Sequence, residues 1–453
     1  MVIEGAAALA RVEKALEARF PTRMVPDLDR ITDLMDLLGQ PQRAYPSIHL
    51  TGTNGKTTTA RMIDALLRAL GIRTGRYTSP HLQSVTERIA LDGAPLTPER
   101  FGEVYDEVAP FAEVVDSRHP DRMTFFELLT AMAFAAFADA PVDVGVIEVG
   151  LGGRWDATNV IHAPVAVVTS IGLDHVGILG STIAEIAGEK AGIIHEGATV
   201  VSAGQTADAA LVLTNRVAEV GARLAREGVD FGVRGRSVAV GGQSLDLAGL
   251  GGDYDEIYVP LYGAHQAANA ACALAAVEAF FGAENRGPID VEAVRAAFAG
   301  VQSPGRLEVV RRSPTVLLDG AHNPAGAAAL AMAVEEAFSF ERLVGVVAVL
   351  GDKDVAGVLE PLEPVLDEVV VSTNSSPRAL PAEALADIAY EVFGDARVSV
   401  AARLDDAIER AVALAESNTT TVGGGVLVTG SIVTVGDART LLAARGLTGQ
   451  APA

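Results

Sequence analysis

With a single cysteine in 453 residues, Cys272, the chain cannot form an internal disulfide. Cys272 lies in an alanine-rich run with helical spacing and reads as a small buried apolar side chain. Long apolar stretches are missing as well, so no segment is fit to span a bilayer. The residues before Arg11 lack the basic start, apolar run and cleavage site of a secretory leader. A cytoplasmic protein is the expectation. Positive charge is also in short supply, with 35 Lys plus Arg against 58 Asp plus Glu and a net charge of -23. That balance argues against nucleic acid as partner and for small molecules, anions included, bound at local basic spots. Length is not scarce: 453 residues exceed what one ordinary core uses, so two domains are expected.

What the chain does hold is concentrated at Ser47 to Leu70, SIHLTGTNGKTTTARMIDALLRAL. An apolar run, Ile48 to Leu50, meets a polar loop, Thr51 to Lys56. The loop opens into a segment whose apolar residues Ile63, Leu66, Leu67 and Leu70 recur at helical spacing, with Gly71 as the stop. The reading is strand, phosphate loop, helix. Backbone N–H groups of Asn54 to Thr57, Gly55 included, would point at a phosphate, Lys56 would add a full charge, and Thr57 could offer its hydroxyl to Mg²⁺. Leu50 stands where the general phosphate-loop pattern wants its first glycine, so this is a shorter form, Gly-Thr-x-Gly-Lys-Thr from Gly52.

Residues 1 to 46 offer one charged amphipathic stretch, about Ala6 to Arg19, and a proline-punctuated connection. Thr74 to Asp92, broken at Pro80, suits a ligand-facing loop with Thr78, Ser79, His81 and Arg88, followed by a short strand. Met123 to Phe137 predicts a helix apolar all round, in which Glu127 must find a polar partner. Val142 to Val149 is an apolar strand ending in Glu148, an acid placed to hold Mg²⁺ directly or through water. Gly150 to Asn159 resembles a dinucleotide fingerprint only superficially, because Trp155 takes the place of its third glycine.

A further buried strand, Val165 to Ile171, delivers Asp174 and His175, the latter a metal ligand, a base or a plain histidine. The next helix, about Thr182 to Ala191, carries Lys190. Residues 229 to 262 suggest a small antiparallel excursion, and helical pattern returns at Ala267 to Phe281, where Asn269 is a buried or a surface amide. After Gln302 to Arg306, strands at about Thr315 to Leu318, Leu343 to Leu350, Glu368 to Ser372, Arg397 to Val400 and Gly425 to Thr429 alternate with helical segments. This predicts a second, parallel α/β domain. Its first strand ends in DGAHNP from Asp319 and its second in GDKD from Gly351. Polar strand ends from two domains facing one cleft imply one site built between them.

Taken together, these segments resemble the folylpolyglutamate synthase and dihydrofolate synthase family, similar in turn to the Mur ligases. The markers are GTNGKTTT at Gly52, YTSPHL and ERI between Tyr77 and Ile89, TFFE at Thr124, EVGLGGRWDATN at Glu148 and GLDH at Gly172. EKAGI at Glu189, GAHQAAN at Gly263, SPGR at Ser303 and DGAHNPAG at Asp319 complete the set. The resemblance covers about Arg30 to Arg439. It implies an N-terminal mostly parallel sheet domain like that of phosphate-loop NTPases, residues 1–302, and a C-terminal Rossmann-like α/β domain, residues 303–453. The site would lie in the cleft between them.

By that resemblance Asn54 to Thr58 hold the ATP phosphates, and Asn269, Arg306 and Asp319 complete the nucleotide site. Thr57, Ser79, Glu148 and His175 are implied Mg²⁺ ligands, with Lys190, as a carbamate, helping to hold a second ion. Thr124, Phe125, Phe126, Glu127, Trp155, Asp156 and Ala157 would face the pterin-bearing substrate, dihydropteroate or a reduced folate, with Ser79 and His81 beside it. His322 would lie near the incoming L-glutamate. Lys56, His175, Lys190 and His322 are then the catalytic set of a monomer that adds glutamate. Trp155 departs from the smaller apolar residue common in the family, and His195 stands where a lysine is common.

Three other readings compete. A cell-wall Mur ligase would carry a separate N-terminal domain, whereas only about fifty residues precede the loop. A nucleotide switch gains Asp174-His175-Val176-Gly177 but lacks an Asn-Lys-x-Asp motif. A dinucleotide oxidoreductase fails on the broken glycine fingerprint.

Overall fold

In the computed structural model, residues 2–20, 25–282, 287–417 and 423–444 are described. Eight strands form the first sheet: β1 (Ser47–Thr51), β2 (Thr74–Tyr77), β3 (Ile89–Leu91), β4 (Ala94–Pro95), β5 (Val144–Glu148), β6 (Val165–Val168), β7 (Thr199–Ser202) and β8 (Arg223–Arg226). They lie in the order β4-β3-β2-β5-β1-β6-β7-β8, parallel from β2 to β8, with β3 and β4 running antiparallel at one edge.

Both faces of this sheet are covered, which is why β6 and β5, as far as Glu148 at its end, read as near-continuous apolar runs. Ile48 and Leu50 pack beneath the helix Lys56–Ala69 and the alanine-rich helix Ala264–Phe281, where Cys272 is buried. Ile147 and Tyr77 pack on the other side against the helices Pro98–Arg118 and Phe125–Asp139, joined there by the helices Val2–Glu17 and Asp29–Leu37.

β9 (Gly232–Ala239), β10 (Gly242–Ala248) and β11 (Asp253–Val259) form the small antiparallel sheet expected at 229–262. The third sheet comprises β12 (Glu308–Arg312), β13 (Thr315–Leu318), β14 (Arg342–Val347), β15 (Glu368–Val371), β16 (Val398–Val400) and β17 (Gly424–Thr429), in the order β12-β13-β17-β14-β15-β16.

Two expectations change. The C-terminal sheet is mixed, not wholly parallel: only Ser313 and Pro314 separate β12 from β13, and so short a turn leaves the antiparallel pairing as the one available. Thr74 to Asp92 also begins with a strand, β2, before its loop. Its polar Thr74 and Arg76 obscure an apolar pattern because their partner is buried: Thr74 Oγ1 donates to Asp64 Oδ1 at 2.5 Å and an Arg76 guanidinium N–H to Asp64 Oδ2 at 2.9 Å.

Candidate active site

The helix Lys56–Ala69 starts from Gly55, at φ 87°, and no described side chain caps it. Its first intrahelical bond runs from Thr59 N–H to the Gly55 carbonyl. The N–H groups ahead of it form the positive end of the helix, turned toward the cleft. A side chain at position 55 would be strained and would put its Cβ 2.4 Å from Asn269 Oδ1. Asn269 is therefore pressed against the phosphate loop, where its Nδ2 donates to Gln266 Oε1 at 2.9 Å.

Lys56 curls over its own loop and donates to the carbonyls of Gly52 at 2.9 Å and Thr53 at 3.2 Å. Burial lowers its pKa, against the pull of Glu148 and Asp174. From the end of β5, Glu148 accepts the Thr57 hydroxyl at 2.9 and 3.0 Å and the Ser79 N–H at 3.2 Å. Burial raises its pKa, while Lys56 and Thr57 oppose the rise. Three strand ends, those of β1, β2 and β5, thus meet on one carboxylate. His175, after β6, sits at φ 52°. Burial takes its ring down to about 4, leaving it neutral, with a nitrogen lone pair, at neutral pH. Lys190 Nζ donates to the same Gly52 carbonyl at 2.8 Å, and burial, then the Lys56 charge, lower it to about 7.

These groups line one cleft of about 950 Å³ between the first and third sheets. The far wall is the loop after β13. Asp319 accepts the N–H groups of Leu307 and Ala321 at 2.8 Å each, so its carboxylate fixes its own loop as well as lining the cleft. His322 engages the Gly320 carbonyl through Nδ1 at 2.8 Å, leaving Nε2 3.5 Å from Asp174 Oδ2. Arg306 also lines the cleft. Thr58 is on its wall with its hydroxyl turned to Ser303 Oγ, 2.9 Å away at the junction of the two halves.

At the other end, Thr124 and Glu127 form a capping box on the helix Phe125–Asp139, and Glu127 pairs with Arg30 at 3.0 Å. This supplies the polar partner that a buried acid requires. Phe125 stacks on Phe20 at 4.6 Å between ring centres. Asp156 accepts the N–H groups of Leu151 at 2.9 Å and Thr158 at 3.0 Å, which fixes the turn carrying Trp155 and Ala157. Thr124, Phe125, Phe126, Glu127, Trp155, Asp156 and Ala157 all line the cleft.

His81 is not among the residues that line the cleft; Arg88 donates to its Nδ1 at 2.9 Å. Arg88 itself faces the cleft with its guanidinium 5.1 Å from the Phe125 ring centre. Lys353, on the cleft wall, was missed, and so was Asn323, which does not line the cleft but pairs with Asn54 of the phosphate loop. The signals were an N-cap asparagine before a proline and a lysine at a strand end. His195, bonded to Asn159 at 3.1 Å, is not among the cleft residues.

A phosphate loop on one sheet facing a polar strand edge on another, across one cleft, defines an ATP-dependent ligase of the Mur type. The family model for the Mur ligase middle domain matches residues 50–277, and that for the Mur ligase glutamate ligase domain matches residues 305–432. The dihydrofolate synthase/folylpolyglutamate synthase of Mycobacterium tuberculosis is 55% identical over 96% of this chain and 94% of its own, and that of Bacillus subtilis 34% over 94% and 96%. Among solved structures, M. tuberculosis folylpolyglutamate synthase complexed with ADP and AMPPCP superposes with a TM-score of 0.93 at 54% identity, covering 99% of this chain and 100% of that one. Escherichia coli FolC in complex with DHPP and ADP does so with 0.84 at 32%, covering 98% and 99%. The chain belongs to the folylpolyglutamate synthase/dihydrofolate synthase family of the Mur ligase superfamily.

Proposed function

We propose that this cleft joins L-glutamate to dihydropteroate, to reduced folates, or to both, through an acyl phosphate made from ATP. The observation that carries the reading is the continuity of the cleft: the uncapped helix end with Lys56 and the aromatic, acid-pinned end at Phe125 and Asp156 open into one space. A carboxylate does not yield an amide unaided, because oxide is too poor a leaving group. One carboxylate oxygen therefore attacks the γ-phosphorus, the bond to the bridging oxygen breaks, and ADP leaves. The glutamate amine then attacks the acyl carbon, loses a proton, and phosphate departs. Lys56 and the N–H groups of Asn54 to Thr58 stabilise charge on the moving phosphoryl oxygens. Asn269, Arg306 and Asp319 complete the nucleotide's surroundings, and His322 faces the amine side.

The oxygen donors Thr57, Ser79 and Glu148, with neutral His175, suit Mg²⁺, a hard cation. Lys190, lowered to about 7, has the free amine needed to add CO₂ and give a carbamate for a second ion. Bound Mg²⁺ would neutralise charge on the phosphates. The same reading divides the chain at 302/303 and has it act as a cytoplasmic monomer; among the described residues no helix is long and apolar enough to cross a membrane.

The test is purified protein with ATP, Mg²⁺ and glutamate, plus dihydropteroate or tetrahydrofolate, with products read by mass. A gain of one glutamyl unit with ADP and phosphate is expected. Product from dihydropteroate alone would remove the polyglutamate half, and nucleotide hydrolysis without amide would favour the switch reading.

A further inference from the structure

Asp174 has no part in the reaction described above, yet three side chains from the loops of the third sheet gather around it. It lies on the loop after β6. Lys353, from the end of β14, donates to Oδ1 at 2.6 Å, both side chains being 8% exposed. Asn323 Nδ2 donates to Oδ2 at 3.1 Å, and His322 Nε2 stands 3.5 Å from the same oxygen. Burial alone would raise the Asp174 pKa, but His322, His175 and Lys353 overturn that and hold it well below the usual carboxylate range. Asn323 then closes the circuit to the phosphate loop through a reciprocal amide pair with Asn54, at 3.0 and 3.2 Å.

A local explanation does not cover this arrangement. The loop after β6 already has its own supports, Thr53 Oγ1 to the Gly172 carbonyl and Gln205 to Ile171 N–H. Asp174 Oδ1 accepts the N–H of its neighbour His175 at 2.8 Å, but its side-chain hydrogen-bond partners, Lys353 and Asn323, come from two different loops of the other sheet. Lys353 and His322 carry the groups suited to an anionic amino acid, and a buried ammonium stays where its counter-charge is.

We propose that Asp174 is the positioning residue of the amine side. It is a carboxylate of the first sheet that aims Lys353, His322 and Asn323 of the third, so that the glutamate-facing wall is set by the same loops that hold the phosphates. This rests on the amide-ligase reading for its kinetic test, and a second measurement stands free of it.

Asp174→Asn keeps the shape and removes the charge. With each substrate varied in turn, the KM for glutamate should rise tenfold or more while that for ATP stays within about threefold. Lys353→Gln should do the same, and the double variant should be no worse than the single ones, as expected of groups acting as a unit. Equal changes in every KM, or penalties that multiply, would overturn the proposal. Without substrates, amide hydrogen exchange at 320–323 and 351–354 should quicken several-fold in Asp174→Asn, with exchange in β1 and β5 unchanged. Unaltered exchange at those two loops would overturn it even in a protein that makes no amide. If the wild-type chain forms no amide while Asp174→Asn shows the quickened exchange, the function is at fault and the positioning role stands.

Discussion

The loops that follow β1 and β13 begin alike, each leaving a buried strand, passing through glycine and polar residues, and opening a helix of 14 residues. They then solve the problem of unpaired backbone N–H groups in opposite ways. After β13, Asp319 accepts the Ala321 N–H of its own loop and the Asn323 side chain caps the helix at 2.8 Å, so the loop's side chains meet its own backbone. After β1 no described side chain caps the helix, and the Lys56 ammonium rests on the loop's own carbonyls. One loop presents its backbone, the other only its side chains. Placing a loop of each kind on either side of a cleft separates a site for a phosphate from one for groups that must be discriminated.

Substitutions can break this contrast. The largest effect is expected of Lys56→Ala: a fall in kcat of about 10²–10³-fold, roughly 3–4 kcal/mol, in single-turnover assays, with no loss of melting temperature because a buried charge has been removed.

His49, on β1, tests the strand rather than the loop. Thr158 spends its hydroxyl hydrogen on Asp156 at 2.5 Å, so His49 Nε2 is the donor to Thr158 Oγ1 at 2.8 Å, and Nδ1 is buried without a partner. Burial, and then His195, hold the ring at about 3, below its unfolded value of about 6.5. The unfolded chain therefore takes up the proton first, and stability falls as pH drops from about 6.5 toward 3. Denaturant unfolding at pH 7 and 4.5 should show His49→Gln lacking roughly 2–3 kcal/mol of the wild-type decline.

Gly55→Ala should cost about 1–2 kcal/mol from the left-handed backbone alone, with the Asn269 clash added. Calorimetric titration with a nonhydrolysable ATP analogue should show about tenfold weaker binding, partly recovered in Gly55→Ala/Asn269→Ala. The smallest effect belongs to Asn323→Ala, about 1 kcal/mol of urea-measured stability for a lost cap. A larger loss would show that its pairing with Asn54 and Asp174 adds to stability as well as orientation.

The β1 loop was readable from the amino acids because its elements are contiguous: an apolar run, glycines, and Ile63, Leu66 and Leu67 at helical spacing. Glu148 and His175 were readable as polar endings of apolar strands. What escaped were groups whose meaning depends on a distant partner. Arg76 makes β2 look like a loop until Asp64 is seen beneath it. Arg88 meets both His81 and the Phe125 ring only because the chain turns back upon itself. Asn54 and Asn323 lie 269 positions apart, and no local spacing announces that pair. The role of Asn323 as a cap was visible; its second role was not.

The only tryptophan of the chain, Trp155, stands on the cleft wall 49% exposed, on a turn that Asp156 holds rigid. The protein therefore carries its own optical reporter. Its emission arises from one indole in contact with water, so a molecule that covered the ring would shift the whole signal. Occupancy can be followed in real time, without a label and before any bond is made.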